Sequence, residues 1–322
     1  MQIMLRAIRA TLSVLPLLII GGLLYAAVFV KPNVSASTVV PPPIARGEYM
    51  YGVASLKDGA ILGVGSGGKI WRISPGEQTI MSEKSPTSAA LQDIATWNDG
   101  AAVAVGDGGT VLVSQDQGKS WSTVKVTLSS VANKLVRVRA IEDGSAWAVG
   151  EMGAALKSTD HGATWNRVTS EEDKSWNDVF VVGNKVWLVG EFGRISSSSD
   201  GGATWSNVAS PVKNSLMAVA FRDDMHGVAV GVDGTVLSTT DGGVAWAVAP
   251  RVVTSHLFDV TWDGKEWLAV GDMGVLLIGD ASGAHWRESR VTPDNRQWHT
   301  KIVRDGDRYV ASGGSVDVVG AL

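Results

Sequence analysis

The chain has 322 residues, of which 45% are apolar and 19% are charged, and this composition excludes an extensively disordered protein. It has no cysteine, which excludes disulfides, thiolate metal sites, a cysteine nucleophile and a lipidated cysteine. After residue 30 the chain has 26 basic residues, which is the total of 28 less Arg6 and Arg9, and 32 acidic residues. The resulting net charge of −6 argues against a nucleic-acid binder.

The N-terminal segment predicts a membrane anchor. Arg6 and Arg9 precede an uncharged apolar run from Ala10 to Val30. A run of about 20 residues spans a bilayer, whereas the apolar part of a signal peptide has roughly 7–15 residues. We therefore expect a cytoplasmic N-terminus at 1–9, a transmembrane helix at 10–30 and the rest of the chain in the periplasm. Cleavage after "VSA" (Val34 to Ala36) remains an alternative.

A glycine-centred pattern then recurs seven times, in forms such as "VAVGDGGTV" and "LAVGDMGVL". Its reference glycines are Gly65, Gly106, Gly150, Gly190, Gly231, Gly271 and Gly313, so the period is near 40 residues. Each unit contains short β-branched and Trp-rich runs separated by Gly/Asp turns, and no stretch has helical periodicity. The pattern predicts an all-β, seven-bladed β-propeller at 49–322 with four strands per blade. A β-solenoid is the alternative fold.

A second pattern, typified by "STDHGATW" (Ser158 to Trp165), predicts the turn between the third and fourth strands of a blade. This is the Asp-box: its Asp accepts backbone hydrogen bonds, its Gly supplies a positive φ, and its Trp packs on the blade. The four clear copies contribute Asp116, Trp121, Asp160, Trp165, Asp200, Trp205, Asp241 and Trp246. The alternative, metal-binding or acid chemistry at these Asp residues, requires them to converge, whereas separate blades hold them apart.

The last unit ends after its third strand, "SVDVVGAL". The linker at 31–48 includes "VSASTVVPPPIARG" (Val34 to Gly47), which is rich enough in β-branched residues to supply a fourth strand and close the ring. Pro41 to Pro43 would lie at or beyond the end of that strand, because proline is tolerated only at sheet edges.

The segment "FRDDMHGVAVGVDGTVLSTTDGGVAW" (Phe221 to Trp246), with weaker copies from Tyr49 to Leu322, resembles the photosystem II stability/assembly factor family. The resemblance implies a seven-bladed Asp-box propeller that faces the lumen or periplasm, binds membrane protein subunits and helps their complex to assemble. The family's arginine-rich surface has only partial counterparts here, in Arg72 and Arg194. The bacterial-type anchor and the missing cysteine favour a bacterial relative.

An enzyme is the alternative function, because sialidases and double-propeller xyloglucanases also resemble this chain in their Asp-boxes. A sialidase requires a tyrosine nucleophile backed by a carboxylate and an arginine cluster. Tyr49, Tyr51 and Tyr309 do not occur in such a pattern, and a single propeller lacks the xyloglucanase cleft. The five histidines have no paired metal-ligand spacing. We therefore expect no catalytic residue, no metal and no cofactor.

One group of side chains suggests a binding site. Alignment of the first strands places Gly52, Asp93, Arg137, Asp178, Ala218, Asp259 and Thr300 at one equivalent position. Innermost strands line a propeller's channel, so Asp93, Arg137, Asp178 and Asp259 are predicted to form a polar channel mouth that recognises a partner loop or small ligand. Alternatively, each Asp caps the start of its own strand.

Overall fold

The computed structural model describes residues 15–25, 44–74 and 80–320. The chain divides into two compact units, Met1–Pro42 and Pro43–Leu322. In the first unit, residues 15–25 form helix α1. The remainder of the predicted transmembrane segment, 10–14 and 26–30, lies outside the described residues. Within the described ranges, no helix has both the length and the apolar character required to span a bilayer.

In the second unit, the described residues contain 27 strands in seven antiparallel sheets, the blades of a propeller. Blade 1 contains β1 (Met50–Ser55), β2 (Ile61–Gly65), β3 (Ile70–Ile73) and β4 (Ile80–Glu83), and blade 2 contains β5 (Leu91–Thr96), β6 (Ala102–Gly106), β7 (Val111–Ser114) and β8 (Ser122–Val124). Blade 3 contains β9 (Leu135–Ala140), β10 (Ala146–Gly150), β11 (Ala155–Ser158) and β12 (Asn166–Arg167), and blade 4 contains β13 (Trp176–Val182), β14 (Lys185–Gly190), β15 (Ile195–Ser198) and β16 (Ser206–Val208).

The remaining blades follow the same order. Blade 5 contains β17 (Leu216–Phe221), β18 (Gly227–Gly231), β19 (Val236–Thr239) and β20 (Ala247–Val248), and blade 6 contains β21 (Leu257–Trp262), β22 (Trp267–Gly271), β23 (Val275–Gly279) and β24 (Trp286–Arg290). Blade 7 contains β25 (His299–Asp305), β26 (Arg308–Gly313) and β27 (Val316–Val319). The predicted all-β, seven-bladed propeller is therefore confirmed.

The second strand of each blade forms the core between neighbouring sheets. Its sequence is a continuous apolar run, as in "AVAVG" of β6, and every residue of that strand is buried. Continuous rather than alternating hydrophobicity is the pattern of a strand covered on both faces. In a propeller the two adjacent blades pack against these two faces, so each second strand packs one blade against the next.

Blades 7 and 1 lie side by side and close the ring. Thr300 Oγ1 donates a 2.7 Å hydrogen bond to the carbonyl of Tyr51, and Ser55 Oγ donates a 2.9 Å bond to the carbonyl of Arg304. An apolar cluster that includes Trp71 and Val310 joins the same two blades.

The predicted closing strand, Val34 to Gly47, is largely outside the described residues. Of its positions, 44–47 are described, and they form a turn rather than a strand. Blade 7 therefore has three strands in the described part of the chain. Closure by residues 34–43 stays a prediction.

Candidate functional site: the centre of the propeller

The Asp-box turns are organised by local hydrogen bonds. In blade 3, Asp160 Oδ1 accepts bonds of 2.8 Å from Ser158 Oγ and from the Thr164 backbone N–H. Asp160 Oδ2 accepts a 2.6 Å bond from Thr164 Oγ1, and Trp165 Nε1 donates to the carbonyl of Gly162 at 2.8 Å. The turn thus satisfies its own polar groups, which is what a structural role requires.

In the other three clear boxes, Asp116, Asp200 and Asp241 likewise accept bonds from the hydroxyl two residues before the Asp and from the backbone N–H four residues after it. Hydrogen bonds, from Thr204 above all, lower the pKa of Asp200 to about 2. The hydroxyl of Ser120 is the largest cause that lowers the pKa of Asp116. Each of these carboxylates therefore stays ionised at neutral pH and serves its own turn.

The glycine at the fifth position of each clear box abuts the preceding blade. A Cβ at Gly202 would lie 2.5 Å from Trp147 Cη2, and one at Gly243 would lie 2.5 Å from Trp187 Nε1. Both glycines have positive φ, +89° and +81°. The box therefore serves two purposes: it makes a tight turn, and it fits that turn against the neighbouring sheet.

A bulge at the start of every innermost strand determines which residues face the channel. In β5 the pairing with β6 shifts between Leu91 and Asp93, so that Asp93 lies opposite Val105. The equivalent residue in blade 7 is Lys301, which lies opposite Ser312. The sequence alignment placed Thr300 there, and this was wrong by one residue. The hairpin between β25 and β26 has only two turn residues, Gly306 and Asp307. The channel-facing residue therefore lies one position closer in sequence to the reference glycine Gly313 than Asp93 lies to Gly106.

The structure brings the four predicted site residues together. Arg137 Nη1 lies 3.9 Å from Asp93 Oδ2 and 3.7 Å from Asp259 Oδ1, and Arg137 Nε lies 3.7 Å from Asp178 Oδ1. All four residues are buried, Arg137 at 7% exposure. They form a polar cluster within the channel instead of an open mouth.

Two further cations complete this central cluster, and sequence reasoning missed both. Arg139 Nη2 lies 2.7 Å from Asp178 Oδ2, and Lys301 Nζ lies 3.2 Å from Asp93 Oδ2. Arg139 follows Arg137 by two residues, so strand alternation alone indicates that both face the channel. With Arg137, Arg139 and Lys301 opposing three aspartates, the cluster has no net charge.

The aspartates also join alternate blades to their neighbours. Asp93 Oδ2 accepts a hydrogen bond from the backbone N–H of Val138 in the next blade at 3.1 Å. Asp178 Oδ2 accepts one from Val219 at 2.9 Å, and Asp259 Oδ2 one from Ile302 at 2.9 Å. These three bonds run between blades, whereas the predicted alternative has each Asp capping its own strand. Asp178 does both, since its Oδ1 also accepts a 2.8 Å bond from the Val179 N–H. Blades 2, 4 and 6 are thereby tied to blades 3, 5 and 7.

Burial and the ion pairs shift the pKa values of the central cluster in opposite directions. Burial lowers the pKa of Arg137, but the carboxylates of Asp259, Asp178 and Asp93 outweigh burial and raise that pKa above its ordinary value. Burial alone would raise the pKa of Asp178, but Arg139 and Arg137 hold that pKa below its usual range. Burial lowers the pKa of Lys301 more than Asp93 raises it.

A cavity lies at each end of the central cluster. At the end where the innermost strands begin, a cavity of about 250 Å³ is lined by Tyr51, Met217 and Phe258, with Arg137 also in its wall. At the other end, a cavity of about 490 Å³ is lined by Ala54, Ala95 and Val303 together with Arg139 and Lys301. We call these the narrow mouth and the wide mouth.

Two side-chain groups resemble catalytic sites but lack their geometry. Tyr309 donates a 2.7 Å hydrogen bond to Asp263 Oδ2, and burial together with that bond raises its pKa to about 12, which opposes nucleophilic use. His299 uses one nitrogen, Nε2, to contact both Asp317 (2.8 Å) and Ser315 (3.4 Å), whereas a serine triad uses both ring nitrogens. The described residues contain no group of three His, Asp or Glu side chains arranged to hold a metal ion.

This fold defines the molecule as a seven-bladed Asp-box propeller with a buried polar centre. The chain belongs to the family described as photosynthesis system II assembly factor YCF48, whose model matches residues 52–159 and 203–297, which is 203 of the 322 residues. The resemblance predicted from the sequence is therefore confirmed. No curated protein matches the chain significantly.

Solved structures share the fold at low sequence identity. A structure of YCF48 bound to a D1 peptide is 16% identical with a TM-score of 0.71, covering 87% of this chain and 94% of that one. YCF48 from Cyanidioschyzon merolae is 16% identical, with a TM-score of 0.70 and 87% and 98% coverage. The GH74 xyloglucanase from Xanthomonas campestris is 15% identical with a TM-score of 0.66, and the match covers 83% of this chain but 51% of the enzyme.

Proposed function

We propose that this protein is a non-enzymatic binding factor that assists the assembly of a membrane protein complex, as the family name describes. Family membership is the observation that carries the proposal. The YCF48 structure of the same fold with a bound D1 peptide supports a polypeptide as the ligand. The centre of the propeller agrees with binding rather than catalysis, because its charged groups neutralise each other and are held by the blades.

The test of this function is a crosslinked pull-down from native membranes with the full-length chain as bait. We expect one dominant membrane protein or complex, identified by mass spectrometry. Capture of soluble proteins alone would contradict the proposal. Turnover of a sialoside or a glucan by the purified protein would instead favour the enzyme alternative, for which the fold shared with the xyloglucanase is the supporting observation.

The proposal includes a single-pass anchor at 10–30 that places the propeller in the periplasm. Its support is the uncharged run from Ala10 to Val30 behind Arg6 and Arg9, of which 15–25 are helical. Alkaline carbonate should leave the full-length protein in the membrane fraction, with the propeller open to protease from the periplasmic side only. A soluble mature form that begins near Ser37 would show cleavage instead.

A further inference from the structure

The two ends of the propeller differ in charge. We call the end with the Asp-box turns and the turns between first and second strands the box face, and the opposite end the turn face. Among the described residues, the turns of the box face contain 14 acidic and four basic residues, whereas the turns and linkers of the turn face contain ten of each. A basic partner is therefore attracted to the box face.

Nine of those acids lie in the turns that follow the innermost strands, and these turns surround the wide mouth. The nine are Asp58, Asp99, Glu142, Asp143, Asp223, Asp224, Asp263, Glu266 and Asp307, against the three bases Lys57, Arg222 and Lys265. We call these nine acids the acidic rim. Glu142 is exposed and lines the wide mouth directly, so the negative charge reaches the opening itself.

Inside this rim the wall of the wide mouth is mostly apolar, with two cations at its base. Ala54 and Ala95 line the mouth at equivalent positions, each two residues after the channel-facing position at the strand's bulge. Their small side chains leave the mouth open to about 490 Å³, whereas Tyr51, Met217 and Phe258 narrow the other end. The cations at the base of the mouth are already paired with Asp178 and Asp93.

We propose that the wide mouth is a docking surface for a partner polypeptide segment in which an apolar side chain is flanked by lysine or arginine residues. The apolar side chain enters the mouth and replaces water against Ala54, Ala95 and Phe180, while the flanking cations meet the acidic rim. The aspartates at the base are already paired with Arg139 and Lys301, so the partner's basic residues meet the acidic rim instead. This surface rests on the proposed function and specifies how the partner is recognised.

The test uses the full-length chain in detergent and fluorescein-labelled peptides. The probe is Lys-Lys-Gly-Leu-Gly-Lys-Lys, compared with versions in which Ser replaces Leu or Glu replaces every Lys. We expect the Leu and Lys peptide to bind tightest by fluorescence anisotropy, with affinity that falls as salt rises. Equal binding of the Glu peptide would overturn the proposal, and so would equal binding of the Ser peptide.

Two pairs of variants locate the surface. Ala95→Phe fills the wide mouth and should lower the affinity for the Leu peptide at least about tenfold. Val136→Phe fills the narrow mouth and should leave that affinity unchanged. Glu142→Lys with Asp307→Lys should weaken binding and reduce its salt dependence, because the net charge of these turns falls from −6 to −2. Glu171→Lys with Asp173→Lys makes the same charge change on the turn face and should have little effect.

Equal losses in both members of a pair would contradict the assignment, as would unchanged binding in Ala95→Phe. A melting curve checks each fold, and Ala95→Leu replaces the Phe variant if that one does not fold. Binding to anionic lipid vesicles that Ala95→Phe abolishes would assign the mouth to a membrane and overturn the polypeptide.

The pull-down separates this surface from the proposed function. If the wild type captures a membrane complex and the wide-mouth variants capture it equally, the docking surface is wrong and the function stands. If the peptides behave as expected but no membrane protein is captured, the surface stands and the assembly function fails.

Discussion

Arg137 is a single guanidinium that lies among three carboxylates from three different blades. In its one described hydrogen bond, Nη2 donates to the carbonyl of Phe258 at 3.0 Å. Its distances to the three carboxylates, 3.7 to 3.9 Å, are those of ion pairs. Removing one carboxylate therefore changes both the charge balance and a bond to the next blade. A buried charge that loses its partner is strongly destabilising.

For this reason Asp178→Asn should lower the free energy of unfolding by about 3 kcal/mol, measured by denaturant titration. The variant loses the pair with Arg139 and weakens the bond from the Val219 N–H. Asp173→Asn, at an exposed position on the turn face, is the control and should change little. If Asp178→Asn keeps its stability but loses partner capture, the predicted recognition role of the central cluster is supported instead.

The Asp-box carboxylates predict a pH dependence of stability. The pKa of Asp200 in the folded chain is about 2, below its ordinary value of 3.8. A lowered pKa means that the ionised group stabilises the fold above pH 3.8, and that this contribution is lost as the pH falls towards about 2. Asp200→Asn should therefore melt below the wild type at about pH 5, and the two curves should converge near about pH 2. A constant difference between the curves across this range would contradict the assignment.

At the scale of the blade, the contact between the box and the preceding sheet predicts that a box glycine is more costly to replace than a glycine in a strained but open turn. Gly202→Ala places a methyl group in a positive-φ turn and against Trp147. Gly264→Ala meets a comparable φ of +102° with no atom within 4 Å. The control should lose about 1 kcal/mol from backbone strain, and Gly202→Ala should lose at least about 1 kcal/mol more from overpacking. Equal losses in thermal melts would show that the neighbouring blade accommodates the methyl group.

The blades were predictable from the sequence because each is a local unit of four consecutive strands with its own turns. Reference glycines such as Gly106 and the Asp-box tryptophans repeat with the period of the blade, so one unit explains the rest. The channel was less predictable, since a one-residue difference in a hairpin shifts the facing residue, as it does from Thr300 to Lys301. Contacts such as that between Asp93 and Val138 join different blades and depend on the closed ring.

At the scale of the whole molecule, the last blade has an unpaired edge in the described part of the chain. Val318 of β27 is 45% exposed, and β27 is the last strand of its sheet. A cavity of about 400 Å³ lined by Ile61, Ile73 and Val316 lies beside this strand. Exposed edges invite aggregation, so propellers close their rings. The segment Val34 to Gly47 remains the predicted partner.

Deleting Val34 to Gly47 should therefore expose the edge of β27, lower the free energy of unfolding by about 3 kcal/mol and promote aggregation. Thermal melting and light scattering measure the two effects. A matched variant replaces 34–43 by a Gly/Ser segment of equal length, which keeps the linker but removes the β-branched residues, and it should behave like the deletion. If the Gly/Ser variant melts like the wild type, the segment is only a linker, and the ring is held by blade packing such as that of Trp71 against Val310.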